Sequence, residues 1–160
     1  MKISDHLGEK SLLDNTEEAG YLKDVLVDAD ALVALAKTND SNHKRAIRLS
    51  EKLQKAGVSF YFSPFTVAEA TTVLSYKTSQ PDAKKFLKQI RSLQIPVLEL
   101  PEKFSSLADE WFLKQKQKGT SYFDCYNMAL LDRYKKQLVA IFSFDVIYKK
   151  NGFTLVAEMV

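Results

Sequence analysis

The strongest constraint on this chain is an alternation of periods. Short runs rich in β-branched or aromatic residues, at 25–27, 59–62, 96–100, 138–144 and 153–156, are separated by stretches with apolar residues at helical spacing. Such alternation predicts an α/β fold around a parallel sheet. Ala83, Phe86, Leu87 and Ile90 repeat at i, i+3, i+4, i+7 behind Ser79 and Pro81, and Phe104, Leu107, Ala108, Trp111 and Phe112 do likewise. A third helix is expected after Asp40 or Ser41, turning Ala46, Ile47, Leu49 and Leu53 inward and stopping at Gly57. The last long one starts near Thr120 or Ser121.

The chain has 160 residues, the length of one domain. Residues 1–22 show no clear period and carry Asp5, Glu9, Asp14, Glu17 and Glu18, so they read as an extension dispensable to the core, with residues 23–160 forming the domain. No apolar run approaches the roughly 18 residues that span a bilayer, and the start MKISDHLGEK is too polar for a signal peptide. A cytoplasmic protein without membrane attachment is expected. The single cysteine, Cys125, excludes an intrachain disulfide and a multi-cysteine zinc site, while His6 and His43 are too few for a histidine-based one. Any metal therefore rests on carboxylates.

Four acids stand against this pattern. Asp28 and Asp145 follow strands, and in a parallel sheet both project from the carboxyl edge where ligands bind. Each also suits a helix N-cap or a turn. Glu69 falls on the stripe Phe65, Ala68, Glu69, Val73 and Tyr76 of a mostly apolar helix, where a buried carboxylate needs a partner and a shoulder position needs none. Asp124 completes an S-x-x-D capping pattern with Ser121 and can also face the edge beside Asp145.

Were the four to meet, each pair about 5 Å apart would repel by about 3 kcal/mol at an effective dielectric near 20. Such a cluster takes up protons or a cation. An all-oxygen set suits Mg²⁺ or Mn²⁺, which also bind substrate phosphates and activate water for in-line attack on a phosphodiester.

The segments VLVDADALVALAKTNDSNHKRA, FSPFTVAEATTVL, TSYFDCYNMALL and IFSFDVIYKKNGF, in this order, resemble the PIN-domain ribonucleases and, within them, the VapC-like toxins of toxin-antitoxin pairs. The resemblance covers most of the chain, from about Asp24 to Val156. It implies a three-layer α/β/α fold with a central parallel sheet and a divalent-metal-dependent endoribonuclease, with Asp28, Glu69, Asp124 and Asp145 as metal-binding and catalytic acids. Ser143 stands where Thr or Ser is usual, and Asp30 replaces a small polar residue, capping the helix or assisting the metal. Ile147 takes a place where many relatives carry a further acid. The resemblance further implies an RNA substrate, an antitoxin protein whose Arg or Lys reaches the acids, and a homodimer. Two other readings remain open. One is a catalytically inactive PIN-like RNA-binding or scaffold domain. The other is a haloacid-dehalogenase-like phosphohydrolase, since V-D-A-D resembles its D-x-D, although Ala31 and Leu32 then follow.

The net charge of +3 permits a polyanion partner without demanding one. His43, Lys44 and Arg45 after the first helix, and Lys149 and Lys150 after the fourth acid, are the candidates to hold RNA phosphates. Tyr122 and Tyr148 read either as base-stacking or as buried aromatics, and Cys125 as a small core residue.

Overall fold

The computed structural model describes residues 24–160 and, ahead of them, Ile3 and Leu7. Strand β1 (Asp24–Val27) is central, flanked by β2 (Ser59–Phe62) and β3 (Leu138–Phe142), both parallel to it, in the order β2-β1-β3. Helices α1 (Ala29–Ala36) and α2 (His43–Lys55) connect β1 to β2. Four more, α3 (Thr66–Lys77), α4 (Gln80–Ser92), α5 (Leu107–Lys114) and α6 (Tyr122–Arg133), lead from β2 to β3, and a short α7 (Ile147–Lys150) follows.

Strand alternation divides the core into two layers. Val25 and Val27 point to one face, with Phe60, Phe62, Ala140 and Phe142, and are covered by α1 to α4 through residues such as Leu32, Leu53, Leu74 and Ile90. Leu26 and Ile141 point to the other, under Met128, Leu130 and Leu131 of α6 and Ile147 and Tyr148 of α7. The fold is thus the expected three-layer α/β/α arrangement. Helix starts obey local chemistry. The Ser79 hydroxyl accepts from the Asp82 amide at 3.1 Å and donates to its carboxylate at 2.6 Å, with Pro81 in the first turn of α4.

Two expected strands are reduced to single parallel bridges, Val97 beside Phe62 and Leu155 beside Ile141. Pro96 lacks an N–H, so it offers only its carbonyl to the Phe62 amide, at 3.0 Å. Gly152, at φ +88°, turns the chain just before the second segment, leaving little length to pair. The outer two of the five positions in the sheet are thus present in place but not in length.

The expected extension lies mostly outside the described residues. Its two described members, one of them the Leu7 expected to be only a scattered apolar residue, are buried in the core, which weighs against the extension being dispensable. Ile3 and Leu7 are 4% and 3% exposed and belong to the cluster beneath α1 and α4. Their backbones are linked one helical turn apart, Leu7 N–H to Ile3 C=O. Helix α5 buries less than its period implied: Ala108 is enclosed, but Phe112 and Leu113 are exposed.

Candidate active site

The carboxyl edge of the sheet carries the acids. Asp28 directly follows β1, where its amide donates to the Phe142 carbonyl at 3.0 Å, so β3 holds it in register. Its side chain caps α1, accepting from the Ala29 amide at 2.8 Å. The carboxylate is 4% exposed, and both oxygens are engaged. Oδ1 also accepts from Asn127 Nδ2 at 3.1 Å, and Oδ2 accepts from the Ser143 hydroxyl at 2.9 Å and the Tyr148 hydroxyl at 3.0 Å. Burial, then the charges of Asp30 and Asp124, push its pKa well above the ordinary carboxylate value, against the pull of the Ser143 bond.

Glu69 is brought in by the start of α3. Thr66 donates its hydroxyl to the Val27 carbonyl at 3.3 Å, fastening that helix to the end of β1. Phe65 packs against Phe123 and Tyr126 at ring separations of 5.1 and 4.9 Å, drawing α3 and α6 together. Half-buried Glu69 is raised to about 7 by desolvation and then by Asp124 and Asp30. Its helix is less apolar in place than on paper, because Tyr76 is 86% exposed.

Both readings of Asp124 hold. Ser121 caps α6, accepting from the Phe123 amide, while the Asp124 carboxylate is held by the Ser121 backbone. The same carboxylate lies 3.1 Å from the Tyr148 hydroxyl, whose single proton is shared between Asp124 and Asp28. Burial raises its pKa, with Asp145 adding to the rise. Asp145 is exposed at the head of α7, where Oδ1 accepts from the Ile147 amide at 2.9 Å. A recess of about 80 Å³ opens between Asp124 and Asp145, with Lys118 and Lys150 on its walls.

Asp30 does not cap α1, because Asp28 holds that position. From the first turn of α1, its Oδ2 accepts from the Phe144 amide at 2.8 Å and the Ser143 hydroxyl at 3.1 Å, stitching α1 to the segment that carries Asp145. Burial lifts its pKa to about 6. Its Oδ1 is buried without a hydrogen-bond partner among the described residues.

The basic candidates are dispersed. His43 Nδ1 lies 2.7 Å from the Ala34 carbonyl, at the opposite end of α1 from Asp28, about 9 Å away along the helix axis. Lys44 is exposed beside it. Arg45 reaches back over the Phe144 ring at 5.5 Å, toward the site. Lys149 pairs with Glu158, and Lys150 lines the recess. Tyr148 is 0% exposed and so cannot stack a base. Tyr122 is exposed and donates to Asp109 at 2.5 Å. Cys125 is buried, its thiol pushed up to about 11 by desolvation and Asp124, as suits a core residue.

Sequence reasoning missed Asn127, and of the two readings of Tyr148 the buried one holds, although its bonds to Asp28 and Asp124 were not foreseen. Asn127 bonds to both Asp28 and Tyr148 from one buried amide. A signal existed: Asn127 is an amide three residues after Asp124 within an otherwise apolar turn, so the two share a face of α6.

Among the described residues, no three acid, histidine or cysteine side chains surround one point closely enough to hold an ion as they stand. The Ser143 and Tyr148 hydroxyls lie between the carboxylates instead. The donor chemistry nonetheless fits a hard cation. It is all oxygen, neighbouring carboxylates add to the burial that raises Asp28, Glu69 and Asp124, and Asp30 Oδ1 is a buried oxygen without a donor among the described residues.

Comparison with known proteins agrees with this arrangement. No curated protein matches the sequence. Among solved structures, the fold is similar to that of Mycobacterium tuberculosis VapC20, a sarcin-ricin loop cleaving toxin, with a TM-score of 0.66 and 20% identity over 81% of this chain and 96% of that one. The family model of the PIN domain matches residues 25–153. With four strand-end and helix-start acids gathered at the edge of its parallel sheet, the chain belongs to the PIN domain family.

Proposed function

We propose that this protein is a divalent-metal-dependent endoribonuclease, and that it is the toxin of a toxin-antitoxin pair. The observation that carries the reading is the gathering of Asp28, Glu69 and Asp124, from three separate elements, at one sheet edge, where burial raises the pKa of all three and the charge of Asp124 adds to the rise at Asp28 and Glu69. Buried carboxylates crowded together and raised in this way are the pattern of a functional site rather than of a structural ion pair. Asp28, Glu69, Asp124 and Asp145 are the residues that would hold Mg²⁺ or Mn²⁺. When bound, the ion supplies a lowered pKa to its water and neutralises charge on the phosphodiester.

The chain's own residues do the rest. Asp28, capped into α1, gives the site a fixed oxygen pair. Ser143 bonds to both Asp28 and Asp30 and accepts from the Asp145 amide at 3.1 Å, locking the fourth acid to the first. The recess between Asp124 and Asp145 accepts a phosphate, with Lys118 and Lys150 supplying positive charge. Arg45, held over Phe144, and Lys44 extend the path for RNA, and Lys149 adds charge when released from Glu158. His43 contributes by holding the α1–α2 junction.

The toxin role, the antitoxin and a homodimer rest on likeness to VapC-like proteins. VapC20 itself is a sarcin-ricin loop cleaving toxin. Among the described residues, no helix is long and apolar enough to cross a membrane, and a cytoplasmic location is part of the proposal. The division of the chain at residue 22 is retained as a proposal. Membership of the PIN domain family favours the nuclease over the phosphohydrolase, and in this chain Asp30 ties α1 to Phe144.

The test uses purified protein and single-stranded RNA. Cleavage is expected with Mg²⁺ or Mn²⁺, and loss with EDTA or Asp145→Asn. Growth arrest on expression, relieved by co-expressing the adjacent reading frame, is expected for the toxin. A metal-loaded, folded protein that binds RNA without cleaving it would replace this reading with the inactive RNA-binding one.

A further inference from the structure

Asn127 and Tyr148 form a buried polar pair under the acids, in a place where apolar side chains would pack at lower cost. Asn127 of α6 is 2% exposed and Tyr148 of α7 is 0% exposed, and Tyr148 lies among Met128, Leu130 and Ile147 in the core on that side of the sheet. The Asn127 amide spends one proton on Asp28 Oδ1 at 3.1 Å and the other on the Tyr148 oxygen at 3.0 Å. The Tyr148 hydroxyl faces Asp28 Oδ2 at 3.0 Å and Asp124 Oδ1 at 3.1 Å. One phenol oxygen thus touches carboxylates borne on β1 and on α6, and the amide fixes that oxygen from below. Asn127 Oδ1 is itself buried without a partner among the described residues, which costs stability. That cost is consistent with an amide retained for where its N–H groups point.

We propose that Tyr148 and Asn127 are positioning residues that set the spacing and orientation of Asp28 and Asp124 for a divalent cation. The proposal rests on the reading of those acids as metal ligands. Hydrogen bonds to ligating side chains from outside the metal's own coordination are typically worth 10–100-fold in metal affinity or activity, because they hold the ligands in place before the ion arrives. A phenol pinned at 0% exposure can do this from the protein side.

The experiment measures Mn²⁺ affinity by electron paramagnetic resonance of free Mn²⁺, at fixed pH and 25 °C, for the wild-type chain, Tyr148→Phe, Asn127→Ala and the double variant, each checked for folding by circular dichroism. The expected result is a Kd weakened about 10–100-fold in each single variant. The double variant is expected to lose little more than the worse single one, because the two act as one unit. Asn127→Ala keeps the test open should Tyr148→Phe fail to fold. A structural role alone lowers the melting temperature and leaves Kd unchanged. Unchanged or tighter Mn²⁺ binding by a folded single variant, or losses that simply add, would overturn the inference. If the wild-type chain binds no Mn²⁺, the metal-site reading itself fails, and the two failures are thereby distinguished.

Discussion

Without a metal, this protein should lose stability as pH rises through neutrality, the reverse of ordinary acid denaturation. Asp30, pushed to about 6, and Glu69, pushed to about 7, hold protons in the folded state that the unfolded chain releases near pH 4. A folded-state pKa above the unfolded value stabilises fully below the unfolded value, and the contribution disappears as pH passes the folded one. For Asp30, about two pKa units correspond to about 3 kcal/mol. Half-exposed Glu69 is screened by solvent, so its share is nearer 1–2 kcal/mol. Asp28 and Asp124 shift in the same direction and add to the loss. The total, at least about 4 kcal/mol, is a large part of the 5–15 kcal/mol typical of a domain.

The assay is thermal unfolding by circular dichroism at constant ionic strength, in EDTA, from pH 4.5 to 7.5. At roughly 2–4 °C per kcal/mol for a chain of this size, the midpoint should fall by about 10 °C. At pH 7.5, Mn²⁺ at a hundred times its Kd should restore about 2.7 kcal/mol. A midpoint that stays flat or rises between pH 4.5 and 7.5 in EDTA would refute the reasoning.

Three further outcomes are expected. Asp28→Asn keeps an oxygen to cap α1 and should fold, yet RNA cleavage should fall by about three orders of magnitude; undiminished cleavage in a nuclease-free preparation would remove Asp28 from the catalytic set. Leu7→Ala should cost about 2–3 kcal/mol, since Leu7 is 3% exposed in the core, and a chemical denaturation curve identical to wild type would show that the segment before residue 24 is dispensable after all. Cys125 should resist thiol reagents in the native state, and Cys125→Ala should retain cleavage; rapid native-state labelling would contradict its enclosure beneath Asp124.

What could be read from the sequence was local. Strand β2 was located to the residue because its flanks change period abruptly, and Ser79, Ser121 and Gly57 mark helix ends by chemistry that acts within a few residues. Asp28 and Asp145 were legible because each ends an apolar run at the edge where a parallel sheet presents its ligands. The strand ladders at 96–100 and 153–156 were overestimated, since Pro96 and Gly152 limit pairing in ways that β-propensity does not count. Tyr148 and Asn127 lay beyond local reasoning. Their bonds to Asp28 span 120 and 99 residues, and only packing α6 and α7 on the same face of the sheet brings them there. Ile3 and Leu7 were hidden for the same reason, as isolated apolar residues in a polar stretch whose burial depends on the helices above them.

The most direct test of the metal-site account is the anomalous difference density of a crystal equilibrated with Mn²⁺ near pH 7.5. The account predicts a peak bounded by the carboxylates of Asp28, Glu69, Asp124 and Asp145, with Tyr148 and Asn127 still bonded to Asp28 on the side away from the ion. A fully diffracting crystal with no peak among those four acids, or with Mn²⁺ bound only elsewhere, would contradict it.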